Sequence, residues 1–238
     1  MTMPLLAASA PPLRGVIFDL DGVIVDSHAT HRAAWRIFLQ ALGRNVDDGE
    51  LDFILDGRKR RDILRHFLGN ISEDKMAEYG QNKDRVFQQM QSQVGPIAGV
   101  VPLIHQLHEH GMALAVASSA SPGRVRSSLI RLGIEECFRA IVTAEDVAAG
   151  KPDPAVYALA AQQLREPVEF LLTIEDAVSG IQSATGAGLA CLAVASHQSR
   201  ENLLAAGAFE TVADFTQISA EKLQRMHQNY FSAKAGKN

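Results

Sequence analysis

The strongest constraint on the fold is the point where the first apolar run stops. Val16, Ile17 and Phe18 lead directly into Asp19-Leu20-Asp21-Gly22-Val23. A strand this apolar is buried on both faces, as in parallel sheets covered by helices. In an extended segment, residues i and i+2 project to the same side, so Asp19 and Asp21 address one small volume. Two carboxylates so placed are costly unless they hold a cation or exchange protons. Open α/β sheets bind ligands outside the carboxyl ends of their strands, so the position suits chemistry better than packing. An isolated Asp-x-Asp-Gly is more often a turn or a calcium-loop fragment; the rest of the chain decides between the two.

Four further apolar runs, Ala113–Ser118, Ala140–Thr143, Phe170–Ile174 and Ala190–Ala195, alternate with helical patterns. Those patterns lie at Val100–His110, Gly123–Leu132, Ala155–Leu164, Ser179–Ala187 and Arg200–Ala206. The alternation predicts an α/β fold with a Rossmann-like, doubly wound parallel sheet. It breaks after the first strand. Between Ser27 and Val94 only helical periodicity is found, on faces marked by Ala33, Ala34, Ile37 and Phe38, by Ile63, Leu64 and Phe67, and by Val86, Phe87 and Met90. This predicts an inserted α-helical cap domain over 28–94, with the catalytic core formed by 13–27 and 95–229. Gly95, Pro96 and Gly99 in the return connection read as a hinge.

A net charge of −4 offers no general attraction for nucleic acid or an anionic membrane. No apolar run reaches the roughly 18 residues that a span requires. Met1–Pro12 lacks a basic start, so no cleaved signal is expected. Cys137 and Cys191 have neither metal nor disulfide spacing, and the expected location is the cytoplasm. The polar tail after Gln228 is expected to fray.

Three more strand ends carry chemistry. The second strand closes on Ser118, whose hydroxyl can bond an anionic oxygen. Gly150-Lys151-Pro152-Asp153-Pro154 holds a lysine in a rigid loop, with Asp153 as expected helix cap and Pro154 at the first helical position. The fourth closes on Glu175-Asp176, where Asp176 alone would be explained as a cap. A parallel sheet gathers all of these at one edge. Unit charges about 4 Å apart repel by roughly 4 kcal/mol at an effective dielectric near 20. Four acids at that edge therefore need a divalent cation, and all-oxygen ligands indicate Mg2+. Mg2+, Lys151 and a serine hydroxyl fit a phosphate group. Asp19 is then the nucleophile that forms an aspartyl-phosphate, and Asp21 the acid and base for the leaving and accepting oxygens.

Asp19-Leu-Asp21-Gly-Val, Ser118, Lys151-Pro and Glu175-Asp176 resemble, in order and spacing, the four motifs of the haloacid dehalogenase superfamily of phosphotransferases. The likeness spans about Arg14 to Phe215. It implies Mg2+ held by the Asp19 carboxylate, the Asp21 backbone carbonyl and Asp176, with Glu175 in support. It also implies Lys151 and Ser118 on the phosphoryl oxygens.

Ser27, His31 and Trp35 recur at i, i+4 and i+8, on one helical face that begins beside Asp21. This stretch is similar to the β-phosphoglucomutase group of the superfamily. Gly57-Arg58-Lys59-Arg60 is similar to that group's Gly-x-x-Arg loop, implying that Arg60 grips a distal phosphate. Lys83 falls where the group carries a lysine that meets the histidine. One departure is Ser121, where the mutases usually carry a lysine. The resemblance implies a monomeric enzyme acting on a small phosphorylated sugar, interconverting β-glucose 1-phosphate and glucose 6-phosphate. A sugar-phosphate phosphatase using water as acceptor is the alternative. A non-catalytic phosphate-binding module would be favoured only by the loss of Asp19 or Asp21.

Overall fold

The computed structural model describes residues 10–236; most of the N-terminal segment read above for a leader, residues 1–9, lies outside them. Six strands form one parallel sheet in the order β3-β2-β1-β4-β5-β6. They are β1 (Gly15–Phe18), β2 (Ala113–Ala117), β3 (Ala140–Val142), β4 (Leu171–Glu175), β5 (Ala190–Val194) and β6 (Glu210–Val212). Every residue of β1, β2, β4 and β5 is buried, as near-continuous apolar runs require in a sheet covered on both faces. The sixth strand was not foreseen. Glu-Thr-Val is half-buried at the sheet edge and carries no apolar run to reveal it.

Alternate residues of β1 feed two separate cores. Val16 and Phe18 join Leu114, Val116, Leu172 and Ile174 on one face. Ile17 joins Ala115, Leu171 and Cys191 on the other, with Tyr157 and Leu164 of helix α7 (Ala155–Leu164) and Ile181 of α8 (Val178–Gly186). The first face is covered by α5 (Val100–Glu109), α6 (Pro122–Leu132) and α10 (Ala220–Ala235), while Leu203 of α9 (Arg200–Ala205) packs on the second. The chain therefore stays helical beyond Gln228, to Ala235. Tyr230 and Phe231 pack against the core and hold the last turns of α10.

The segment after β1 is helical, as expected: α1 (His28–Ala41), the short α2 (Asp48–Leu51), α3 (Arg60–Leu68) and α4 (Glu73–Met90). It encloses its own apolar cluster around Trp35, Phe38, Leu39, Leu51, Leu64 and Phe67. Asp47 and Glu50 start α2 with reciprocal capping bonds, and the Ser72 hydroxyl accepts from Lys75 N to start α4. The two connections to the sheet run side by side. Asp26 N donates to Gly95 O at 2.9 Å and Ile97 N to Ile24 O at 3.0 Å. Among the described residues no helix is long and apolar enough to cross a membrane.

Candidate active site

Strand register assembles the site. Phe18 pairs with Val116 on one side and Ile174 on the other, so the residues that follow leave the sheet together. Asp19 N donates to Ile174 O at 3.0 Å, which sets Asp19 beside Glu175. Lys151, 3% exposed, reaches between them. Its Nζ donates to Asp19 Oδ1 and to Glu175 Oε1, both at 2.6 Å, and to Ala117 O at 3.2 Å. The two carboxylates raise the Lys151 pKa although burial works against them. Burial in turn raises the Asp19 carboxyl well above its ordinary value; Lys151 opposes this, while Glu175, Asp21 and Asp176 reinforce it.

Glu175 is fully engaged inside the protein. Its Oε1 also accepts from the Tyr157 hydroxyl at 2.8 Å, and its Oε2 accepts from the backbone N–H groups of Asp176 and Ala177 at 2.8 and 2.9 Å. Glu175 thus fixes the loop ahead of α8, the task expected of Asp176. Asp176 instead turns toward His28 and His197. The other expected cap also shifts. Helix α7 spans Ala155–Leu164 as expected, but Pro154 is its cap residue rather than its first helical one, and Asp153 Oδ1 accepts from Ala155 N at 2.9 Å.

Gly22 makes the close approach possible. Its φ is +76°, and a Cβ there would lie 1.8 Å from Asp176 Oδ2, so no side chain fits.

Asp21 is held by four donors from three residues. Ser27 Oγ donates to its Oδ1 at 2.6 Å, and His31 Nε2 lies 3.3 Å from the same oxygen. Arg124 binds it bidentately at 2.7 and 2.5 Å. Burial alone would raise the Asp21 pKa; the Arg124 guanidinium and His31 overcome this and hold it well below its ordinary value. Behind Asp21 a buried chain continues into the insert. His31 Nδ1 lies 3.1 Å from Lys83 Nζ, and the imidazole stacks on Phe87 at 4.4 Å. Burial and the Lys83 charge push His31 down to about 3. Burial and the Arg124 charge push Lys83 down to about 7. The Lys83 ammonium lies 5.4 Å from the Trp35 ring centroid, and Trp35 itself packs in the apolar cluster of the insert.

Two adjoining cavities lie over these groups. A small one of about 70 Å³ is lined by Asp19, Asp21, His28, His31, Ser119, Arg124, Glu175 and Asp176. A wider one of about 410 Å³ is lined by Arg58, Lys59, Arg60, Arg61, Ser119, Ser121 and Arg124. Ser118, by contrast, is buried at the end of β2, where its Oγ accepts from Ala120 N at 3.1 Å. The neighbouring Ser119 lines both cavities and donates to Gly57 O at 2.6 Å, tying sheet to insert. Lys59 does the same, donating to the carbonyls of Ala144, Val147 and Ala148 at 2.8, 2.6 and 3.1 Å. Arg60 does not stand free in the wider cavity; its guanidinium is paired with Asp84.

Arg124 is the functional residue that sequence reasoning missed. The signal was its position. It lies in the first turn of α6, where the helix dipole disfavours a cation; only a strong anionic partner keeps it there. His28 and His197 were missed as well, because their meeting depends on loops after β1 and β5.

The donor set at this edge fits a divalent cation of the Mg2+ type. Four carboxylates, Asp19, Asp21, Glu175 and Asp176, face two fixed cations, Lys151 and Arg124. Counted formally, with every carboxylate ionised and the two imidazoles on Asp176 neutral, two negative charges remain, presented by oxygen ligands.

A family model described as haloacid dehalogenase-like hydrolase matches residues 16–194. Hexitol phosphatase A of Escherichia coli is 31% identical over 183 residues, covering 76% of this chain and 82% of that protein. A β-phosphoglucomutase of Bacillus subtilis is 30% identical over 195 residues, covering 78% of this chain and 85% of that protein. Among solved structures, a β-phosphoglucomutase from Clostridium difficile superposes with a TM-score of 0.83 at 24% identity, over 92% of this chain and 99% of that one.

Proposed function

The chain belongs to the haloacid dehalogenase-like hydrolase family, and from that premise we propose that it is a Mg2+-dependent phosphatase of small sugar phosphates. The observation that carries the reading is the sheet edge, where Asp19, Asp21 and Asp176 share one small cavity with two negative charges in excess. When bound, Mg2+ supplies the positive charge that keeps Asp19 ionised and lets a phosphate dianion approach it. It would be held by the Asp19 and Asp176 carboxylates and the Asp21 backbone carbonyl. Glu175, with both oxygens engaged, acts in support.

Asp19 attacks the phosphorus and the bond from phosphorus to the sugar oxygen breaks; Asp21, which Arg124 and His31 keep ionised at rest, first takes a proton from solvent and passes it to that oxygen. Asp21 then removes a proton from water. The water oxygen attacks the aspartyl-phosphate, the bond from phosphorus to Asp19 breaks, and inorganic phosphate leaves. Lys151 steadies the Asp19 carboxylate, and Ser118 holds the turn after β2 through Ala120 N. Arg124 and Ser27 orient Asp21.

The choice of water as acceptor rests on the wider cavity. A mutase must grip a second phosphate, yet every cation there already has a partner. Arg58 pairs with Asp56, Arg60 with Asp84, Arg61 with Glu73 and Arg124 with Asp21, while Lys59 is spent on three carbonyls. Ser121 adds no charge where the mutases carry a lysine. The mutase reading keeps one observation in its favour, the buried chain from Asp21 through His31 to Lys83, which gives the insert a direct hold on the acid and base. Cys137 and Cys191, both buried and free, suit a reducing cytoplasm.

The test is a panel of hexose, hexitol and β-glucose 1-phosphates with Mg2+, following phosphate release and isomer formation side by side. Hydrolysis predicts inorganic phosphate in step with substrate loss. Glucose 6-phosphate forming from β-glucose 1-phosphate faster than phosphate appears would overturn the phosphatase reading and establish the mutase.

A further inference from the structure

Asp176 differs from the other three acids of the site. Lysine or arginine binds each of those, whereas Asp176 meets two imidazoles. His28 Nε2 lies 3.1 Å and His197 Nδ1 3.2 Å from the same oxygen, Oδ2. The three residues come from separate loops: His28 opens α1 after β1, Asp176 follows β4, and His197 follows β5. The imidazoles meet edge to face with centroids 4.1 Å apart. Their donor nitrogens and the carboxylate oxygen all lie within 4.8 Å of one another. His197 Nε2 is buried without a hydrogen-bond partner, so the far side of that ring does not explain its position. Ser196 Oγ completes the group, 3.2 Å from Asp176 Oδ2.

We propose that His28, Asp176 and His197 form a binding site for a d-block divalent cation of the Zn2+, Co2+ or Mn2+ class, distinct in ligand type from the oxygen-only Mg2+ position. Metal–ligand bonds of roughly 2.0–2.2 Å put neighbouring ligand atoms about 3.0–3.5 Å apart. The two oxygen-to-nitrogen separations already have that length and the two nitrogens lie within 4.8 Å of each other, so an ion would need only to draw the two imidazoles together. Two imidazoles and one carboxylate suit borderline transition metals, whereas Mg2+ takes oxygen and water. Three protein ligands leave positions open to water, as in exchangeable rather than closed structural sites. Gly22 is part of the design, since a Cβ there would also lie 2.5 Å from the His28 ring.

Both imidazoles meet Oδ2, so a cation there would share Asp176 with Mg2+ and lower the negative charge that this carboxylate offers it; the site is therefore inhibitory toward Mg2+-dependent turnover. The binding claim itself does not depend on the phosphatase reading, because it is read without substrate.

The experiment is a titration of the metal-stripped full chain with Co2+, followed by its visible ligand-field spectrum, with Zn2+ displacement to confirm the site. The proposal predicts one Co2+ with a nitrogen-ligand spectrum. Affinity falls by about tenfold or more in His28→Ala and in His197→Ala, and the spectrum is lost in the double variant. Asp19→Asn, outside the ligand set, keeps the spectrum. Mn2+ added to the unaltered protein should broaden the imidazole NMR signals of His28 and His197 ahead of those of His105 and His110, a readout that needs no folded variant. Co2+ affinity unchanged by both histidine substitutions, or equal broadening of all four imidazoles, would overturn the proposal.

Discussion

Lys151 and Lys83 are both almost fully buried, at 3% and 4% exposure, yet the sheet edge and the helical insert treat them in opposite ways. Lys151 sits between two carboxylates at 2.6 Å, and its proton is held more tightly than in water. Lys83 sits against the rings of Trp35 and Phe87, near Arg124 and beside His31, and its pKa drops to about 7. Desolvation is the same in kind for both; the partner decides the sign. The sheet edge therefore carries fixed charges on a rigid backbone. The insert carries groups whose pKa values burial lowers, to about 7 for Lys83 and about 3 for His31, and His31 couples them to Asp21.

That contrast can be broken most severely at Asp19. Asp19→Asn keeps the shape but removes the nucleophile, so phosphate release should fall by on the order of 10⁴-fold or more. Residual turnover within tenfold of the unaltered protein would place the nucleophile elsewhere. Asp21→Asn should slow the reaction by roughly 10²–10⁴-fold, with substrate binding largely kept. A variant that raises KM and leaves kcat alone would show Asp21 to be a binding group only.

The next comparison is in stability. Lys151→Met leaves two buried carboxylates facing one another and should cost about 3–5 kcal/mol in denaturant unfolding. Lys83→Met removes a buried amine that no carboxylate contacts and should change stability by less than about 1 kcal/mol at pH 8, while turnover falls. Equal stability losses in the two variants would mean that the two lysines are not differently paired.

The last contrast is one of pH. Lys83 holds its proton to about pH 10.5 in the unfolded chain and releases it near 7 in the folded one. Between those values the unfolded state binds more protons, so this group makes the protein more stable as pH rises. Lys151 has the opposite sign. Its folded value lies above its unfolded one, so its contribution is complete below about 10.5 and is lost only as pH climbs through the folded value. The stability of the unaltered chain relative to Lys83→Met should therefore increase from about pH 7 to 10. A difference that stays flat over that range would show Lys83 to be charged in the folded protein.

The sheet edge was legible in the sequence because strand ends are written in the order of residues. An apolar run followed by Asp19-x-Asp21, Ser118, Lys151 or Glu175-Asp176 declares both the strand and its exit. Parallel topology then brings the exits together. The helices of the insert were equally plain from their apolar spacing, and Ser27 and His31 followed because helical periodicity aims them at Asp21. Partner choice was less legible. Nothing in the local pattern says that Arg60 pairs with Asp84, twenty-four residues on, or that Glu175 rather than Asp176 anchors the next loop. Arg124 carries no local mark of its partner, because Asp21 lies 103 residues away in the chain. A cation reaching from one turn into the helix is visible only once its direction is known. The short β6 strand escaped for lack of an apolar run, and the last turns of α10 because Tyr230 and Phe231 were read as part of a polar tail.

The central claim is that Asp19, supported by a divalent cation and Lys151, accepts a phosphoryl group. It is tested most directly by adding beryllium fluoride and Mg2+ and recording the fluorine NMR spectrum. The account predicts protein-bound fluoroberyllate resonances that require Mg2+ and vanish in Asp19→Asn. No bound signal in the unaltered chain, or the same signal in Asp19→Asn, would contradict it.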